Sequence, residues 1–319
     1  MKLGFLYAGQ GAQHPGMGAD LYQEFSAFRA AFDAAKLPFD LHELCFSDPK
    51  GLLVQTRYTQ PAMVAFAAGL TAVLAEEGVF PFAAVGLSLG EYSALHAAGV
   101  WDAKTAVETV AFRGLAMEKA AEGVDCAMKA VLGLDAEPLR QACAEASELG
   151  VAELCNYNCP GQIVIGGETP AVERAAVLAK QAGAKRCLPL KVSGPFHTSL
   201  LRSAGSALAE YLRGVPFAEP SIPVLHNCLG RERREGDETV EELLARQVSA
   251  AVRLEECIRR MAALGVDAVV EIGPGRALSG FVRKTVPSLP VFSVETSAEA
   301  RSLPMQLRAL EKESEVRSA

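Results

Sequence analysis

The stretch Ala83-Ala84-Val85-Gly86-Leu87-Ser88-Leu89-Gly90-Glu91 runs from a short apolar strand, through a serine flanked by glycines, into a helix. It matches the G-x-S-x-G pattern of a nucleophile elbow, and a strand before with a helix after is the context that pattern requires. A serine on so sharp a turn projects its hydroxyl outward from a strained backbone, and small neighbours let the turn close. The helix expected from Glu91 to Ala98 aims its N-terminal amides and the positive end of its dipole at the same spot. The Leu89 amide is then placed to bind an oxyanion. Ser88 is the candidate nucleophile.

Two further segments follow the same order of strand, glycine turn and helix. Leu3–Tyr7 is an apolar strand feeding Gly9-Gln10-Gly11, and Val266–Ile272 ends at Gly273-Pro274-Gly275 before another helical stretch. Such segments point to a parallel α/β sheet, with its site at the carboxyl ends of the strands. The middle of the chain has a different pattern. A strand over Ala127–Leu134 precedes a helix from Asp135 to about Glu148, then a strand over Val151–Tyr157. A tight turn at Asn158-Cys159-Pro160-Gly161 leads into a strand over Gln162–Gly166. Thr169 reads as an N-cap with Pro170 at the first position of a helix to Gly183, and Lys185–Val192 closes as a strand. The order βαββαβ is ferredoxin-like. The expected division is a large domain over 1–124 and 194–319, with a small ferredoxin-like subdomain at 125–193.

Composition bounds what this architecture serves. Of 319 residues, 50% are hydrophobic and 22% charged, a globular balance too apolar for a disordered chain. The formal net charge of -7 argues against nucleic acid, since phosphate binding takes clustered Lys and Arg. The apolar run at the N-terminus is too short for a signal peptide, and no stretch is read as approaching the length of a membrane span. The eight cysteines include no Cys-x-x-Cys pair, the nearest two being Cys155 and Cys159, so neither a metal site nor a disulfide framework is expected. The reading is a cytoplasmic monomer with reduced thiols, no metal, no cofactor, and no nucleic-acid or membrane partner. The charged tail from Glu311 to Ala319 is expected as a frayed surface end.

An activated serine needs a base. Among the five histidines, His96 lies two turns beyond Ser88 and points away, His42 sits in an amphipathic region, and His14 follows the first glycine turn. His226 comes after the Ile222–Leu225 strand, at a carboxyl end. His197 follows Val192-Ser193-Gly194-Pro195-Phe196, a rigid corner, and leads His226 by a modest margin on spacing alone. Arg113, on a helical segment over Ala103–Ala120, reads by position as part of a solvated face; its other reading is a bidentate fork for a substrate carboxylate. Gly9-Gln10-Gly11 opens like a dinucleotide fingerprint, but His14 stands where a glycine belongs. That turn serves equally well to bring backbone amides to an oxyanion. Lys185, Arg186 and Lys191 form either an ordinary solvated edge or a patch for an acidic partner.

Together these pieces resemble the malonyl-CoA–acyl carrier protein transacylase family across nearly the whole chain. The match rests on Gly9-Gln10-Gly11-Ala12-Gln13, Thr59-Gln60-Pro61-Ala62, Gly86-Leu87-Ser88-Leu89-Gly90-Glu91-Tyr92-Ser93-Ala94 and Arg113-Gly114. It continues through Asn156-Tyr157-Asn158-Cys159-Pro160-Gly161-Gln162, Pro195-Phe196-His197, Arg246-Gln247 and Glu271-Ile272-Gly273-Pro274-Gly275. The resemblance implies an α/β hydrolase-like parallel-sheet core with a ferredoxin-like insert. It also implies malonyl transfer from malonyl-CoA to acyl carrier protein through a malonyl-serine ester, supplying fatty acid synthesis. Ser88 is then the nucleophile and His197 the base, oriented by the backbone carbonyl of Gln247. The Gln10 and Leu89 amides form the oxyanion hole, Arg113 meets the malonyl carboxylate, and Asn158 lines the pocket. The family often has His before the nucleophile, where this chain has Leu87, and Phe196 beside the base is expected to narrow the pocket against a branched acyl unit. A hydrolase built on the same elbow, a catalytically silent module and one domain of a polyketide synthase are the rival readings; the length favours a free-standing enzyme.

Overall fold

The structure, a computed structural model, describes residues 1–318. Its strands are β1 (Leu3–Tyr7), β2 (Ala83–Gly86), β3 (Cys126–Leu132), β4 (Ala152–Cys159), β5 (Gln162–Glu168), β6 (Arg186–Pro189), β7 (Val224–His226), β8 (Arg231–Glu232), β9 (Ala268–Ile272) and β10 (Val291–Val294). They form a six-stranded sheet ordered β10-β9-β1-β2-β7-β8 and a four-stranded sheet ordered β4-β5-β3-β6. From β10 to β7 every pairing is parallel, and β1 lies in the middle with Tyr7 opposite Ile272 on one side and Gly86 on the other. All residues of β1, β2 and β9 are buried, and all but Glu271 fit the near-continuous apolar run that a sheet covered on both faces requires.

The four-stranded sheet is antiparallel and follows the chain order β3, helix Ala136–Ala146, β4, β5, helix Thr169–Gln181, β6. Leu139, Ala142 and Cys143 of the first helix and Val172, Ala175 and Ala179 of the second share one buried cluster with Val131, Ile163 and Ile165. That spacing of three and four residues is one face of each helix laid on the sheet.

Packing divides the chain into two compact units. The first comprises Met1–Ala111, Phe217–Leu225 and Met261–Ala319, and the second Phe112–Pro216 and His226–Arg260. The second unit contains all of 125–193 and extends beyond it on both sides.

Four sequence expectations need correction. Glu168, not Thr169, is the N-cap of the Thr169–Gln181 helix, because the Thr169 hydroxyl is committed to Asp125 at 2.7 Å. The last strand of the antiparallel sheet closes at Pro189 rather than Val192; the proline has no N–H to give the ladder. The chain from Glu311 continues the helix Ser297–Ser318, as its Glu and Lys residues favour, while Ala319 lies outside the described residues. Finally, the helix Thr56–Glu76 is long and apolar enough to cross a membrane, with a mean hydropathy of 1.3 over an 18-residue window. That window is 78% buried inside the protein, where Phe66, Leu70 and Leu74 belong to the core.

Candidate active site

In the first unit, the elbow forms where β2 meets the helix Gly90–Ala97. The hydrogen bond from the Leu87 amide to the Tyr7 carbonyl (3.0 Å) ties the turn to β1, and the Gly90 amide closes it on the Leu87 carbonyl (3.0 Å). Ser88 sits at φ 53°, in the left-handed region that an L residue enters at a cost of about 1–3 kcal/mol. The glycines are sterically required. A Cβ on Gly86 would lie 2.0 Å from the Gly90 backbone, and one on Gly90 would lie 2.4 Å from the Tyr7 carbonyl oxygen. Leu89 is the N-cap of the following helix, so its amide makes no intrahelical bond.

The loop after β1 lies against this turn. A Cβ on Gly9 would come within 2.7 Å of the Leu87 carbonyl oxygen, so only glycine permits the approach. The next residue, Gln10, donates from its side-chain amide to Thr56 Oγ1 at 3.1 Å, fixing the loop to the start of the Thr56–Glu76 helix. The Gly11 amide donates to Gln13 Oε1 at 2.7 Å. Gln10, Ser88 and Leu89 are thus carried by two loops packed on each other at the carboxyl ends of β1 and β2.

In the second unit, Gln247 joins two other predicted residues. Its backbone carbonyl lies 2.8 Å from His197 Nδ1, and its side-chain Oε1 accepts a hydrogen bond from Arg113 Nη2 at 2.9 Å. A carbonyl only accepts, so Nδ1 carries the ring proton and Nε2 of the neutral imidazole keeps its lone pair. His197 is at φ 62°; among the described residues it shares positive φ, apart from glycines, with Ser88 and Asp48 alone. The corner is held from both sides. Thr198 Oγ1 donates to the Pro195 carbonyl at 2.6 Å, while Glu153 receives the amide and the hydroxyl of Ser199, each at 2.7 Å.

Arg113 is only 1% exposed. Its reading as part of a solvated helix face is therefore wrong: the helix Ala103–Ala121 turns this guanidinium inward, where side-chain Oε1 of a residue 134 positions later covers it. A cation this deep needs polar company. Asn158, near the end of β4, is buried, and its side-chain Oδ1 has no hydrogen-bond partner among the described residues.

The other histidines divide by their contacts. His96 is half-buried with Nδ1 3.0 Å from the Trp101 carbonyl, and desolvation lowers its pKa below 6.5. His42 packs among Tyr22, Phe32 and Phe46, a structural setting as its amphipathic segment suggested. His226 is buried at the end of β7. Thr56, Glu153 and Glu295, which meets the loop after β1 through His14, were not legible as site residues. Each acts on a residue distant in sequence, and no local pattern marks them.

A family model for the acyl transferase domain matches residues 4–316. That match places the chain among the acyltransferases. Malonyl CoA-acyl carrier protein transacylase from Bacillus subtilis is 39% identical over 317 residues, covering 98% of this chain and 99% of that protein. The crystal structure of the protein of that name from Clostridium perfringens superimposes with a TM-score of 0.94 at 40% identity, covering 99% of this chain and 100% of the other. A malonyl-transacylase solved in complex with its type II PKS acyl-carrier protein gives a TM-score of 0.90 at 38% identity, covering 95% and 98%. The chain belongs to the malonyl CoA-acyl carrier protein transacylase family.

Proposed function

We propose that this enzyme moves malonyl from malonyl-CoA to the phosphopantetheine thiol of acyl carrier protein by way of an ester on Ser88, supplying fatty acid synthesis. The observation that carries the reading is Gln247, whose main chain holds the His197 imidazole while its side chain holds Arg113. A base and a carboxylate receptor fastened to one residue suit an acyl donor that carries its own carboxylate. The names of the relatives, and the carrier-protein complex of one of them, support both partners.

His197 Nε2 takes the hydroxyl proton as Ser88 Oγ attacks the thioester carbonyl. The backbone amides of Gln10 and Leu89 receive the developing oxyanion. The C–S bond breaks, His197 returns the proton to the departing coenzyme A sulfur, and a malonyl-serine ester remains. The carrier thiol then loses its proton to His197 and attacks the ester; the proton goes back to Ser88 Oγ, completing a ping-pong cycle. A thioester is reactive enough that a dyad without a carboxylate suffices. Arg113 pairs with the malonyl carboxylate, Asn158 adds a polar wall, and Phe196 narrows the pocket against a methyl branch. An acetyl donor would leave the guanidinium without that pairing, a loss of about 1.5–3 kcal/mol.

In this reading the core is α/β hydrolase-like, 125–193 is a ferredoxin-like subdomain, and the enzyme is a cytoplasmic monomer. Intact mass after mixing with malonyl-CoA tests the proposal. A malonyl adduct on the wild type, absent from Ser88→Ala, is the expected result. Steady release of free malonate without a thiol acceptor would instead make the protein a hydrolase, and neither adduct nor malonate would make it a silent module.

A further inference from the structure

Glu295, one residue past β10, reaches two loops at once. Its Oε1 lies 2.5 Å from His14 Nε2, and its Oε2 accepts the Gly275 amide at 3.0 Å. His14 belongs to the loop after β1 that carries Gln10, and Gly275 to the turn after β9. One carboxylate therefore ties together the carboxyl ends of β10, β9 and β1, three neighbouring strands. The two loops are also in direct contact, since a Cβ on Gly273 would lie 2.5 Å from Ala8 Cβ. The turn after β9 is anchored in turn by buried Glu271, which accepts the amides of Leu278 and Ser279 at 3.0 and 2.7 Å.

The His14 ring faces acceptors at both nitrogens, the Pro15 carbonyl at Nδ1 (3.0 Å) and Glu295 at Nε2. Only an imidazolium donates in both directions. The Glu295 hydrogen bond, with the Pro15 carbonyl second, raises the His14 pKa above 6.5. The other charged groups at this corner are Asp20 and Glu24 on the helix Ala19–Glu24, Arg276 after the β9 turn, and Glu299 and Arg301 on the last helix. Arg276 pairs with Glu299 and Arg301 with Glu24.

We infer that His14 and Glu295 are positioning residues for acyl transfer, an ionic latch holding the loop that presents the Gln10 amide to the oxyanion. The inference rests on the functional reading above and adds to it two residues that touch neither substrate nor nucleophile. Oxyanion stabilisation depends on donors fixed before charge develops, so a loosened loop lowers the acylation rate without weakening ground-state binding. The sign of the pH effect follows from the raised pKa. The latch is closed at low pH and opens as pH rises through the His14 value, above 6.5.

The experiment is single-turnover acylation of Ser88 by malonyl-CoA, followed by intact mass across pH, on the wild type, His14→Ala, His14→Gln and Glu295→Ala, with thermal midpoints beside it. Expected is a fall of about tenfold in the limiting rate for His14→Ala and Glu295→Ala, with half-saturation unchanged. His14→Gln, whose amide still donates to Glu295, should recover most of the rate and lose the alkaline decline assigned to His14. The inference is overturned if both alanine variants acylate at the wild-type rate, or if their rates fall only in step with thermal midpoint and glutamine restores nothing. A wild type that forms no adduct on Ser88 overturns the functional reading, and this inference with it; a normal adduct with unaffected variants overturns this inference alone.

Discussion

Arg113 Nη2 donates to Gln247 Oε1 at 2.9 Å inside the second unit, and the main chain of the same glutamine holds His197. The guanidinium and the imidazole thus share a support. Replacing Arg113 with alanine should slow malonyl loading by about ten- to two-hundredfold and reverse the preference between malonyl- and acetyl-CoA. Competition between the two donors, read as the mass of the adduct, checks this.

Gln247→Ala separates the two tasks, because it keeps the carbonyl and removes the amide. Acylation of Ser88 should persist while discrimination against acetyl-CoA weakens. Loss of all acylation in a folded variant would mean that the side chain, not the main chain, sustains the base.

The strained backbone at Ser88 yields a stability prediction. Ser88→Gly should be more stable than Ser88→Ala by about 1 kcal/mol, since alanine inherits the φ of 53° and glycine is at ease there. Denaturant titration of the two variants measures the difference. Conversely, Gly90→Ala should destabilise strongly, because the new methyl meets the Tyr7 carbonyl.

His96 sets an acid limit. Burial lowers its pKa below 6.5, so the unfolded chain binds a proton there more readily than the folded one. Its neutral form supports the fold fully above 6.5, and that support is lost as pH falls through the depressed folded value. His96→Gln should flatten the fall in melting temperature on acidification.

The elbow was legible because it is local: two glycines, a serine and the change from strand to helix lie within nine residues. The βαββαβ order was legible for the same reason, although the N-cap of its second helix moved one residue because Thr169 found a distant partner in Asp125. The inward turn of Arg113 was not. Position along a helix says which neighbours share its face, and here the cover comes from Gln247. Glu153 was equally hidden, lying at the start of β4 with its partner Ser199 46 residues away.

The pairing of β1 with β9, Leu3 opposite Ala268 through Tyr7 opposite Ile272, has a consequence for biosynthesis. Strand β1 gains its second neighbour only once β9, far along the chain, has been made. Until then the glycine loop behind Tyr7 lacks the Ile272 carbonyl that receives the Ala8 amide. Closure across so much chain is slow and occurs late. A nascent chain halted short of residue 268 holds the whole elbow sequence, yet it has no finished shelf on which to set the Gln10 amide. The loop that carries Gln10 therefore takes its final support long after Ser88 has been made.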